Sequence, residues 1–267
     1  DAVRLPMGVY DIIVFNRSFN DFSNIAFRGN SYETLEAYAR KVETRVDKKT
    51  RVETRTIISS PDELAAATLE GFTVTEDMLG NYSQTTYGRT APSRSSEETP
   101  DGLYHLHFVP KKLTREVSAV LHIEGLNNIR SATCRLGGVA ESIFLATGKT
   151  SANTVTQEFT PSNPEFSPGS PFNGTLSCEF EIFGLNVIDN NNLHLDALLV
   201  DGKTEFEGDC TNVKITENDD GTGSVTLILE ASTEKVPDVK PEGGAGSGFD
   251  VDVDGWGNEI NTDIPIN

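Results

Sequence analysis

Leu193-His194-Leu195-Asp196-Ala197-Leu198-Leu199-Val200 alternates apolar with polar residues, meets Asp201-Gly202, and returns through residues 204–207. A period of two puts one face of an extended strand in a core and the other in water, and Asp-Gly suits the two-residue hairpin of a primed turn. The pattern recurs. Val213 and Ile215 lead to Asp219-Asp220-Gly221 and residues 225–229 return, predicting a second hairpin. Residues 132–136, 142–146 and 154–159 read as further strands, and Cys178, Phe180 and Ile182 alternate with Glu179 and Glu181. Short strands at this spacing imply an all-β sandwich rather than a parallel α/β sheet. Residues 162–174, with three prolines and two glycines, read as loop.

The first half is less regular. Residues 9–15 are apolar on both faces apart from Asp11, which suits a strand covered from two sides. Ser31, Glu33 and Glu36 ahead of Lys41 predict a short helix over 32–42, with Leu35 and Tyr38 inward. Residues 56–58 make a brief strand. Ser60-Pro61 followed by alanine-rich 64–69 predicts a second helix, ended by Gly71. Residues 81–102, rich in Ser, Thr, Gly and Pro, read as a long surface loop. Tyr104, Leu106 and Phe108 then alternate with His105 and His107, and Val117, Ala119, Leu121 and Ile123 repeat the rhythm. Pro110-Lys111-Lys112 between them should interrupt any ladder, and marks a joint.

The expected architecture is therefore two β-sandwich domains, residues 1–112 with inserted helices and residues 113–236. A Gly/Pro-rich linker and an acidic strand or tail follow over 237–267. The chain enters its first strand abruptly at Val9, from which we expect an opening strand upstream.

Charge narrows the partners. Lys+Arg 22 against Asp+Glu 41 gives a net charge of −19, which repels phosphate backbones and anionic lipid surfaces and disfavours nucleic-acid binding. No run approaches the ~18 apolar residues of a membrane helix. Three widely spaced cysteines, Cys134, Cys178 and Cys210, form neither a disulfide framework nor a metal knuckle. They read as small buried hydrophobes, with a Cys178–Cys210 bridge as the alternative.

No reaction chemistry is legible. G-x-S-x-G, H-E-x-x-H and P-loop motifs do not occur, and no cofactor is expected. His105 and His107 have the i, i+2 spacing by which a strand presents two imidazoles to zinc, but His122 and His194 stand at no recognisable distance. Asp250, Asp252, Asp254 and Gly255 match the first half of a calcium loop; position twelve is Asn261 where a bidentate Glu belongs. The same stretch reads equally as an acidic strand with Phe249, Val251 and Val253 on one face. Together with Trp256, these are the candidate partner-binding residues.

Several segments resemble a family of Bacteroides-type fimbrillin-related surface lipoproteins, close to fimbrial anchor and tip components. They are Leu5-Pro6-Met7-Gly8-Val9-Tyr10 with Phe15-Asn16; Phe27-Arg28-Gly29 with Ser31-Tyr32-Glu33; Phe108-Val109-Pro110; Leu136-Gly137-Gly138 with Leu145-Ala146-Thr147-Gly148; and Gly248-Phe249-Asp250 through Gly255-Trp256. The resemblance implies two transthyretin-like β-sandwich domains and an exported outer-membrane lipoprotein whose lipid anchor lies outside this sequence. It further implies a non-enzymatic subunit of fimbria assembly or adhesion, with other fimbrial or surface proteins as partners. Strand addition, with the 249–256 segment as donor, would be its mode of contact. A carbohydrate- or calcium-binding module of a nutrient-capture system is the alternative.

Overall fold

Leu193, Leu195, Ala197 and Leu199 are buried, while His194, Asp196 and Leu198 between them are half-exposed. The same alternation governs most of the chain. The computed structural model describes residues 4–46, 54–79, 105–186, 191–219 and 225–241. Six strands come first: β1 (Gly8–Phe15), β2 (Ile25–Arg28), β3 (Glu36–Ala39), β4 (Lys41–Val46), β5 (Thr54–Ile58) and β6 (Ala65–Val74). A two-residue β7 (Lys111–Lys112) precedes β8 (Arg115–Ile123), β9 (Ile129–Ala140), β10 (Ser142–Phe144), β11 (Thr154–Phe159) and β12 (Asn163–Phe166). The last are β13 (Gly174–Ile182), β14 (Leu193–Leu199), β15 (Glu205–Asp209), β16 (Thr211–Asp219) and β17 (Val225–Ser232). Among the described residues the only helical elements are three short 3-10 turns. The chain is all-β.

Two large sheets carry the core. One runs β15-β14-β9-β11-β5-β4 and the other β12-β13-β8-β17-β16. Phe159 of the first stacks on Phe180 of the second, with ring centroids 4.3 Å apart and planes at 18°. Val117, Ala119, Leu121 and Ile123 of β8, with Leu227 and Leu229 of β17, are buried in the same core as Cys134, Leu136 and Leu195. Most pairs are antiparallel; β8–β17 and β5–β11 are parallel. Two smaller sheets, β1-β6-β7 and β10-β3-β2, cover the first half. There Phe15, Phe19, Phe22 and Phe27 make an aromatic cluster with centroids 4.6 to 6.3 Å apart. Strand pairing also ties the two halves together, through β5–β11 and β3–β10.

Both expected helices are strands. Ser31 and Thr34 do make one helical turn's contacts, with the Thr34 and Leu35 amides donating to the Ser31 carbonyl. The chain then extends into β3, because Ala37 and Ala39 fit a fully buried strand face and Glu36 is claimed by neighbours. Arg28 grips the Glu36 carboxylate with two 2.8 Å hydrogen bonds, and the Ser142 hydroxyl donates to it as well. Alanine-rich 65–74 is β6, since its backbone pairs with β1 on one side and β7 on the other, and ladder bonds outweigh helix propensity. Gly71 ends no helix. At φ +67° it sits where the β1–β6 register slips between Tyr10 and Ile12, donating its N–H to the Asp11 carboxylate at 2.8 Å. A left-handed glycine is what such a bulge requires.

Smaller corrections follow the same logic. Residues 105–110 form no strand, whereas Lys111 and Lys112, read as interrupting the ladder, pair with Ala66 and Ala65. Strand β1 is only half covered, with Val9 70% exposed. Residues 163–166, expected to be loop, are edge strand β12; Pro164 is tolerated there because an edge leaves one side unpaired. The β14–β15 connection is five residues, 200–204, rather than two. Leu199 donates to Thr204, and the Asp201 carboxylate accepts from the Lys203 and Thr204 amides, which organises the wider turn. The 81–102 loop and the 220–221 turn lie outside the described residues.

All three cysteines are free. The alternative Cys178–Cys210 bridge is thus not formed: the two side chains pack as hydrophobes, Cys178 on β13 and Cys210 following β15. Burial pushes both thiols up to about 11, and Cys134 higher still. At neutral pH the thiolate is scarce and shielded, so a thiol reagent should titrate the native chain slowly and the denatured chain at once. Fast stoichiometric labelling of the native protein would contradict this packing.

Truncating Phe180→Ala should cost about 3–5 kcal/mol in chemical denaturation followed by circular dichroism, since it removes the ring that stacks the two sheets. The Arg28 guanidinium holds the Glu36 carboxyl below its ordinary value of 4.5, against the opposing effect of burial. A depressed pKa contributes stability that is present above the ordinary value and lost as the pH falls through the lowered one. Glu36→Gln should therefore cost about 1–2 kcal/mol at neutral pH, discounted because Arg28 is partly in water. Its deficit relative to the unmodified chain should shrink on acidification below about pH 4.

Candidate functional site

One end of the sandwich opens as a cleft of about 680 Å³. Its floor is apolar: Ile143 and Phe183 are buried, and Leu185, Ile215 and Leu227 complete it. Its rim is cationic. Lys112 arrives from the end of β7, Arg115 from the start of β8, and Lys149 from the turn after β10. Burial opposes the Lys112 ammonium, but Glu181 at 2.7 Å outweighs it and the pKa lies above the ordinary value. Arg115 bonds Glu217 at 2.8 Å. Three cations, two of them paired with carboxylates, thus stand around one apolar floor in a chain carrying −19.

The cleft borders a sheet edge. Strand β16 contributes Ile215 and Glu217 to the lining and, among the described residues, pairs on one side only, with β17. The other side of a sheet edge is where a further strand can add. A bulge separates its start, where Asn212 has φ 52°, from the regular pairing that begins at Lys214.

A second polar feature lies on the outer face of the six-stranded sheet. Cross-strand registers align Glu158, Arg135, His194 and Asp209 in one row, while Asp196 stands opposite Glu207 two residues along. Arg135 donates to Glu158 at 3.1 Å and pairs with Asp196. His194 Nδ1 lies 2.9 Å from Asp209, and its Nε2 lies 3.2 Å from Asp196. Sequence reading passed over this row because its members come from four strands spread over residues 135–209.

The residues singled out in the sequence fare differently. Phe249, Val251, Val253 and Trp256, and the calcium candidates Asp250, Asp252 and Asp254, lie outside the described residues. His105 and His107 lie on an exposed irregular segment, and neither they nor His122 join a three-ligand cluster among the described residues.

Known proteins provide a further comparison. Similar solved structures include a "putative adhesin" of Bacteroides ovatus at 16% identity, covering 77% of this chain and 66% of that one with a TM-score of 0.47. Another, so named from Bacteroides thetaiotaomicron, is 13% identical over 78% of this chain and 61% of that one, with a TM-score of 0.37. The chain thus spans less than two thirds of the length of these structures. No curated protein matches its sequence. Residues 1–160, more than half of the chain, match the family model described as "Domain of unknown function (DUF5119)", and the chain belongs to that family.

Proposed function

We propose that this chain is a non-enzymatic subunit of a bacterial surface fibre or adhesive assembly, and that it engages other subunits by strand addition. The observation that carries this reading is the coincidence of a free edge with a matching groove. Residues 214–218 of β16 lie on a sheet edge that, among the described residues, pairs only with β17, beside an apolar floor and under a cationic rim. An extended segment added there would gain main-chain hydrogen bonds from the edge and specificity from alternate side chains in the groove. The chain's own residues 249–254 have the matching chemistry: Phe249, Val251 and Val253 for the floor, and Asp250, Asp252 and Asp254 for the lysines and arginine. A neighbouring copy or a related subunit would donate the same kind of strand.

The resemblance to fimbrillin-related lipoproteins supports the same role and adds a location, the outer membrane, reached through a lipid anchor. The groove's chemistry also fits a binding role better than a reaction. Two of its three cations, Lys112 and Arg115, are already paired with carboxylates, and no nucleophile and base lie in reach of each other among the lining residues named.

A labelled peptide spanning 248–258, added to the chain lacking 248–267, tests this by fluorescence anisotropy. Saturable binding is expected, weakened several-fold by raising the salt and abolished by Ile215→Lys or Lys149→Glu. Absence of saturable binding, together with assembly of the full chain unchanged by the deletion, would remove the strand-addition reading.

A further inference from the structure

We propose that the outer face of the six-stranded sheet binds a divalent transition-metal ion, zinc by ligand type, through His194, Asp196 and Glu207. One ligand atom from each lies within 4.8 Å of the other two. A metal about 2.1 Å from each of its ligands at tetrahedral angles sets ligand atoms about 3.4 Å apart. The 3.2 Å between His194 Nε2 and Asp196 Oδ1 is close to that spacing.

The imidazole is oriented for the task. Asp209 Oδ1 lies 2.9 Å from Nδ1, and a carboxylate only accepts, so Nδ1 carries the hydrogen. The Nε2 of that ring faces Asp196 Oδ1 at 3.2 Å, where either a ring proton or a metal ion can stand between the two atoms, and zinc would bind there in place of the proton. A carboxylate behind the histidine is also the arrangement that fixes the tautomer and raises ligand basicity in zinc sites. Asp196 is prepared in the same way. Arg135 occupies its Oδ2 and leaves Oδ1 for the ion.

Rigidity and charge agree with the geometry. Asp196 and Glu207 are directly opposed on β14 and β15, as are His194 and Asp209, so the ligands ride on paired strands and not on a loop. Four carboxylates, Glu158, Asp196, Glu207 and Asp209, surround one guanidinium, Arg135, which leaves the patch short of positive charge. Imidazole with carboxylates selects zinc and its neighbours over calcium, which prefers oxygen alone. Three protein ligands leave a fourth position pointing outward, open to water or to a donor atom of a partner. The site is on a different face from the strand-accepting groove and does not depend on it.

Isothermal titration of the chelator-stripped full chain with zinc should show one saturable site, and cobalt at the same site should give tetrahedral d–d absorption bands. His194→Gln should abolish both signals, and the exposed Glu207→Gln should weaken them while leaving the circular dichroism unchanged. Asp209→Asn, which removes only the support behind the imidazole, should weaken binding by about tenfold to a hundredfold. Lack of a saturable site, or zinc affinity untouched by His194→Gln, overturns the proposal.

Discussion

The backbone of Glu181, at the end of β13, is the point on which the separate sheets converge. Buried Gln157 of β11 donates to its carbonyl at 2.8 Å, and its amide donates to the Ser60 hydroxyl at 2.9 Å. Its carboxylate reaches Lys112 at 2.7 Å. One residue therefore links the six-stranded sheet, the five-stranded sheet, the segment leading into β6 and strand β7. The Gln157 and Ser60 contacts are part-buried, where an unpaired group costs more than a paired one contributes, while the Lys112 contact lies partly in water. Packing such as Phe159 on Phe180 brings the sheets together without choosing their offset; hydrogen bonds of fixed direction choose it.

That convergence explains why local preference lost in the first half. Leu64 is fully buried, its carbonyl accepts from the Leu113 amide, and its own amide donates to Thr114. A helix continuing from Ser60 through 64–69 would have turned half of that segment away from β1 and left the Phe15 end of the strand unpaired. Alanine's modest helical advantage, a few tenths of a kcal/mol per residue over its rivals, cannot match a ladder bonded on both sides. Ser31 and Thr34 show the same competition caught midway: one turn forms, and Glu36 is then drawn into the strand by Arg28.

Where strands lie close in sequence, the fold was legible. Strands β13 to β17 follow from alternation, because each pairs with a sequence neighbour or buries one clean face. What eluded reading was long-range register. The row from Glu158 to Asp209 exists only because β11, β9, β14 and β15 lie side by side with particular residues opposed, and a one-residue slip would turn His194 inward. The groove was likewise hidden, since its floor draws on Ile143, Phe183, Ile215 and Leu227, each unremarkable alone. The tail segment was the reverse case, conspicuous in sequence and outside the described residues.

The edges of the large sheets are unequal, and the inequality has a chemical origin. Strand β12 carries Pro164, which has no N–H to offer, and is only four residues long, so it closes its side of the five-stranded sheet to further pairing. Strand β15 carries Glu205, Glu207 and Asp209 outward, a row of like charge that resists an acidic newcomer. At β16 the bulge around Asn212 disrupts the first residues, but six pairs from Lys214 to Asp219 run without a slip. The Arg115–Glu217 and Lys112–Glu181 pairs line that approach with cations already bonded to carboxylates. An incoming acidic strand would exchange one carboxylate for another at those cations, while its apolar side chains gained burial in the groove. In the proposed strand addition the net attraction would thus come chiefly from apolar area and main-chain bonds, and charge would bear on which strands are admitted.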